Sequence, residues 1–225
     1  MMGLDSADPR GWQRRLSLDR GLAVAFFIVM MDRLTENPWH EWLAAAAGAA
    51  ALFHVVINRW WWPRLLRRRR RFSASLWFER VVTLILTVTL VAAWVSGALV
   101  SQTVFAAVTP FAWQQNLDWR AAHVAWSVLF FLAAGLHAGV KLPVLLGVAP
   151  GLTLGRAVIA VVLAAAGVGA LLSRGFPELL SFEAAYITVE RGEWIGAMPL
   201  DFAVVFLGTA AAAFLLQSAL KRFFG

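Results

Sequence analysis

The chain's four histidines all lie in apolar segments and form two pairs of identical spacing, fourteen residues from His40 to His54 and fourteen from His123 to His137. A helix rises about 21 Å over that interval and brings the second ring to within about 40° of the first ring's face. Two such helices side by side offer two bis-imidazole sites, one toward each face of a bilayer. Imidazole is an axial ligand of haem iron. The spacing therefore predicts bis-histidine haem sites in a transmembrane electron carrier, with His40 and His123 at one haem and His54 and His137 at the other.

Composition supports the membrane setting. The chain of 225 residues is 60% hydrophobic, with a mean hydropathy of +0.70. Several apolar runs reach the roughly 20 residues needed to cross a bilayer core. There is no cysteine, which excludes iron–sulfur clusters, thiolate zinc sites, disulfides and covalently attached haem. The polar stretch from Met1 to Arg20 carries no signal-peptide pattern.

An all-α integral membrane protein follows, with six segments: Leu18 to Leu34, Pro38 to Trp60, Phe78 to Ser101, Asp118 to Leu146, Leu154 to Leu172 and Pro199 to Leu220. Pro38 is expected in the first turn of its helix and Asp118 as an N-cap. Residues 1–17 form an N-terminal segment, 18–146 a four-helix core and 147–225 two further helices with an external loop. With six spans, sixteen of the twenty Lys and Arg share the side of the two termini. By the positive-inside rule that side is cytoplasmic. The run Arg67 to Arg71 then reads as a topology determinant, and no nucleic-acid partner is expected from it. Trp60 to Trp62 read as an interfacial anchor. The stretch Pro177 to Glu190 looks amphipathic and is expected to lie along the outer membrane surface.

The second and fourth segments are separated by one span and run parallel, so topology alone pairs His40 with His123 and His54 with His137. Small residues leave room for a flat macrocycle: Ala44 to Ala47 and Gly48 beside the first pair, Gly135 and Gly139 beside His137, Gly97 on the intervening segment. Close helix packing explains the same residues. Trp39, Trp42, Trp119 and Trp126 sit near the outer pair as belt aromatics. Haem propionates require cations; Arg33 and Arg120 are the outer candidates, Arg59 and Lys141 the inner ones, each with interfacial snorkelling as the competing role.

The stretch Leu34-Thr-Glu-Asn-Pro-Trp-His-Glu-Trp-Leu43, followed by Phe53-His-Val-Val-Ile-Asn-Arg-Trp60, resembles a bacterial membrane family of unknown function related to cytochrome b. The likeness continues through Val95-Ser-Gly-Ala-Leu-Val-Ser101, His123 and Gly135-Leu-His-Ala-Gly139, covering roughly residues 20 to 146. It implies a diheme cytochrome b fold in the bacterial cytoplasmic (inner) membrane, with two non-covalent b-type haems on His40, His54, His123 and His137. Family members often carry a further histidine shortly after the fourth ligand, where this chain has Lys141.

Three functions compete. The first is an electron-transfer subunit of an oxidoreductase, relaying electrons between a quinone or cytoplasmic-side donor and a redox partner at the outer face. The loops Thr103 to Asp118 and Ser173 to Met198 are the expected docking surface. The second is a quinone-linked oxidoreductase acting on a small diffusible substrate. The third is a haem-free membrane scaffold or transporter, in which Glu41 and His40 form a proton-relay pair.

Overall fold

The computed structural model describes residues 9–59, 63, 73–147, 151–173, 175–184 and 198–224, with side chains described for all of these except 9–15, 32–36 and 198. Among the described residues every regular element is a helix. The elements are α1 (Pro9–Val29), α2 (Asp32–Ile57), α3 (Ala74–Val100), the short α4 (Phe111–Gln114), α5 (Leu117–Leu146), α6 (Leu154–Ser173), the short α7 (Phe176–Leu179) and α8 (Met198–Phe224). Five helices, α2, α3, α5, α6 and α8, are long and apolar enough to cross a membrane. The protein is thus an all-α, multi-pass membrane protein in contact with lipid.

The expected first span, Leu18 to Leu34, breaks into two pieces. α1 ends at Val29 and α2 starts at Asp32. The turn between them, Met30 and Met31, is buried, and Met30 packs in a core cluster with Val128, Phe131, Phe176, Phe202 and Val205. α1 therefore stops inside the bundle, which is why its apolar stretch is short. Because α2 begins at Asp32, Pro38 falls in the second turn instead of the first. Asn116 is the N-cap of α5, its side chain accepting from Trp119 N at 2.9 Å. Asp118, expected as that cap, lies within the first turn, where a carboxylate suits the helix dipole. Gly147 closes α5 at φ 66°, a left-handed conformation that glycine adopts without steric cost.

Backbone packing is closest between α3 and α5, between α6 and α8, and between α5 and α8. α2 leans chiefly on α1 and approaches α3 and α5 less closely. The α6–α8 contact is set by two glycines: a Cβ on Gly167 would lie 2.6 Å from Gly208 Cα, and one on Gly208 would lie 2.5 Å from Gly167 Cα. Small residues let helices meet closely where burial from water supplies no driving force. The helices beyond residue 146 share the core of the first four, since Phe202 and Val205 pack with Val128 and Phe131.

Relative directions follow from side-chain partners. His123 meets Ala93, whereas His137 meets Thr83, so α3 and α5 are antiparallel. Asp19 of α1 lies beside His54 near the end of α2, and Arg20 donates to Leu145 O at 2.6 Å at the end of α5. The C-terminal ends of α2 and α5 thus lie at one end of the bundle with the N-terminal half of α1. Phe131 packs on Phe202 and Phe206, and Gly139 faces Ala210, so α8 runs parallel to α5. The loop with Arg67 to Arg71 and the anchor Trp60 to Trp62 lie outside the described residues.

The stretch Pro177 to Glu190, expected along the membrane surface, begins as the four-residue α7. Phe176 and Leu179 are buried in the core cluster, and Phe182 packs on Trp126 at 5.4 Å. Residues 185–190, with Arg174, Arg191 and Glu193 of the same connection, lie outside the described residues.

Candidate cofactor site

His40 on α2 and His123 on α5 face each other, with ring centres 6.3 Å apart and ring planes at 79°. The parallel course of these helices brings them to the same depth. A metal ion held by two imidazole nitrogens at about 2 Å each separates the ring centres by roughly 6 Å. Among the described residues no group of three or more His, Asp or Glu side chains gathers at a metal-binding distance. The donor set here is a two-imidazole one, which suits an ion whose other ligands come with a macrocycle.

The pair lines a cavity of about 520 Å³, within the roughly 300–1,000 Å³ of small-molecule sites. Its walls come from four helices: Phe26 and Val29 of α1, Ala44 and Ala45 of α2, Ala93 and Gly97 of α3, and Val124 and Val128 of α5. Its lining also includes the polar residues Asn37, Glu41, Gln102 and Arg120. The cavity exists because α2 stands off from α3 and α5 and its facing residues are alanines. Methyl groups do not fill the space that leucines would.

His123 is held from its far side. Its Nδ1 lies 3.0 Å from Ala93 O and 3.4 Å from Ser96 Oγ. Ser96 Oγ donates to Ala92 O at 2.7 Å, so Ala93 O is the acceptor that fixes the Nδ1–H tautomer. Nε2 then keeps its lone pair, the usual arrangement of a metal-ligating imidazole. Gly97 makes this placement possible, because a Cβ there would come within 2.8 Å of His123 Cε1. Gly48 has another duty: a Cβ there would lie 2.3 Å from Trp94 Nε1. It admits the indole of α3 that forms one wall of the cavity. His40 Nδ1 is buried without a partner.

The second pair stands at the other end of the same helices. His54 Nδ1 is 2.9 Å from Asp19 Oδ1 of α1. The N–H is not aimed along that line, so both atoms are buried without a formed hydrogen bond. A turn of the ring would satisfy both. His137 Nδ1 lies 3.4 Å from Thr83 Oγ1, whose hydroxyl donates to Glu79 O at 2.8 Å and so offers its oxygen as acceptor. Asp19 and Thr83 are absent from the sequence reading. Asp19 belongs to the polar stretch that ends at Arg20, and no sequence signal marks either residue.

The expected propionate cations divide. Arg120 lines the cavity and donates to Gln114 O at 3.0 Å. Lys141 forms an ion pair with Glu79, which engages the charge assigned to an anionic cofactor. Arg59 is exposed just beyond the end of α2. The side chain of Arg33 lies outside the described residues. Gly135, expected to make room beside His137, instead receives α8: a Cβ there would lie 2.0 Å from Thr209 Oγ1. Gly139 likewise faces Ala210.

Comparison with protein-family models, with curated proteins and with solved structures finds no match for this chain. The functional reading therefore stands on the residues themselves.

Glu41 is the best-connected side chain of the site. Its carboxylate accepts from Ser101 Oγ at 2.6 Å, Gln102 N at 2.8 Å, Thr103 N at 2.9 Å, Val104 N at 3.0 Å and also from Thr103 Oγ1. Asn37 Nδ2 donates to it from the same helix at 3.1 Å. Successive backbone N–H groups converging on an anion form a nest. A carboxylate so occupied works as a strut between α2 and the end of α3, which argues against the proton-relay role with His40.

Proposed function

We propose that this chain is a membrane-embedded diheme b-type cytochrome that relays electrons across the bilayer. The observation that carries the reading is the His40–His123 pair, with ring centres 6.3 Å apart at the wall of a cavity of about 520 Å³. His40 and His123 would hold one haem, and His54 and His137 the other. Bound there, a haem supplies one-electron chemistry between ferric and ferrous iron.

The chain's own part is placement. Ala93 O keeps Nε2 of His123 available. Glu41 fixes the neighbouring turn of α2 by anchoring residues 101–104. Arg120 brings positive charge to the cavity wall, suited to a carboxylate of the cofactor. Asp19 gives His54 an anionic neighbour where His123 has a neutral carbonyl. Carboxylate contact raises the basicity of a ligating imidazole, so the two sites are electronically distinct.

In this reading the six-helix arrangement sits in the bacterial cytoplasmic membrane with both termini inside. A quinone or cytoplasmic-side donor serves one end and a redox partner the other. The test is pairwise. His40→Ala and His123→Ala should each remove the same haem, and His54→Ala and His137→Ala the other, as read by haem per chain. Removal of one haem by both His54→Ala and His123→Ala would overturn the pairing.

A further inference from the structure

We propose that the connection Gln102–Leu117 lies in the membrane–water interface at the His40 end of the bundle, covered by lipid and not offered to a soluble partner. Three observations carry this, and none depends on the haem reading.

The first is composition. The sixteen residues from Gln102 to Leu117 contain no Asp, Glu, Lys or Arg, so no charge opposes their entry into a water-poor layer. The second is exposure. Val108 is 80% exposed, Phe111 74% and Leu117 59%, with Trp113 also on the surface. Exposed apolar area of this kind marks a contact surface. Its aromatic members match the belt that membranes place at headgroup level. Trp39, Trp42 and Trp119, exposed on the neighbouring helix ends, extend the same belt.

The third is the backbone. An irregular segment that enters a water-poor layer must satisfy its own polar groups. Here Gln102, Thr103 and Val104 donate to Glu41, and Phe105 N to Ser101 Oγ. Val108 N and Thr109 N both reach Phe105 O, and Trp113 N and Gln114 N reach Pro110 O. Gln115 N and Asn116 N close the short α4. The buried Gln114 side chain donates to Ala106 O and Thr109 O. The loop folds its donors inward and its apolar side chains outward, as an interfacial element does.

The absence of cysteine makes the test direct. Single cysteines at Val108, Phe111 and Leu117 carry a nitroxide, in full-length protein reconstituted into phosphatidylethanolamine–phosphatidylglycerol vesicles. Val88→Cys, on the exposed face of α3, is the lipid reference, and Lys221→Cys, at the charged end of α8, the aqueous one. Far-UV circular dichroism checks that each labelled chain is folded. The expected result is a ratio of oxygen to water-soluble nickel-chelate collisions above that at Lys221 and below that at mid-span Val88, at all three sites. A ratio matching Lys221 would overturn the proposal and return the surface to a soluble protein partner.

Discussion

At the residue scale the account rests on which atoms the histidine rings face away from the cavity. Gly97→Ala places a methyl group 2.8 Å from His123 Cε1. Overpacking of this kind costs about 1–3 kcal/mol, so the variant should weaken retention of the His40–His123 haem by about 5- to 150-fold while keeping the other. Haem per chain and the surviving absorption band check it; full content of both haems would show that the ring is placed otherwise. Asp19→Asn keeps the shape beside His54 and removes the charge. Loss of a group supporting a metal ligand weakens retention about 10–100-fold, and without the carboxylate the ferric state is less favoured. Weaker binding of the inner haem, and a higher midpoint potential for what remains, are the expected outcomes of a redox titration. An unchanged potential would remove Asp19 from the site. The histidines were legible because their spacing has a geometric meaning. Asp19 and Thr83 were not, because their contacts depend on how α1 and α3 rotate about their axes.

At the element scale, hydropathy located five of the helices, missing the start of α2 by six residues, since length and apolarity are what a membrane demands. It failed at α1, whose end is set by tertiary burial of Met30 among Phe176, Phe202 and Val128. It also misread Gly135, because small residues serve helix contacts and cofactor space alike, and only the position of α8 decides between them. The α6–α8 contact gives a separable prediction. Gly208→Val inserts bulk where a Cβ already lies 2.5 Å from the partner backbone. Thermal unfolding in detergent should move to lower temperature, by about 1–3 kcal/mol of stability, with haem content unchanged at moderate temperature. Coincident loss of both haems would mean that the last two helices hold the site together.

At the scale of the whole molecule, one feature organises the rest. α3, α5, α6 and α8 pack backbone to backbone, while α2 leans on α1 and stands off. The space left between α1, α2, α3 and α5 is lined by His40 and His123, by alanines and by polar groups that include Asn37, Glu41 and Arg120. Glu41 braces that standoff from one end. A bundle without a cofactor would gain by closing the gap, since unfilled apolar space forfeits packing energy. The most direct measurement is the dithionite-reduced minus air-oxidised spectrum of the purified chain, with haem quantified against protein. The account predicts two b-type haems per chain, both low-spin in electron paramagnetic resonance because each pair of histidines fills both axial positions. A chain purified from haem-replete cells with no Soret band would contradict it.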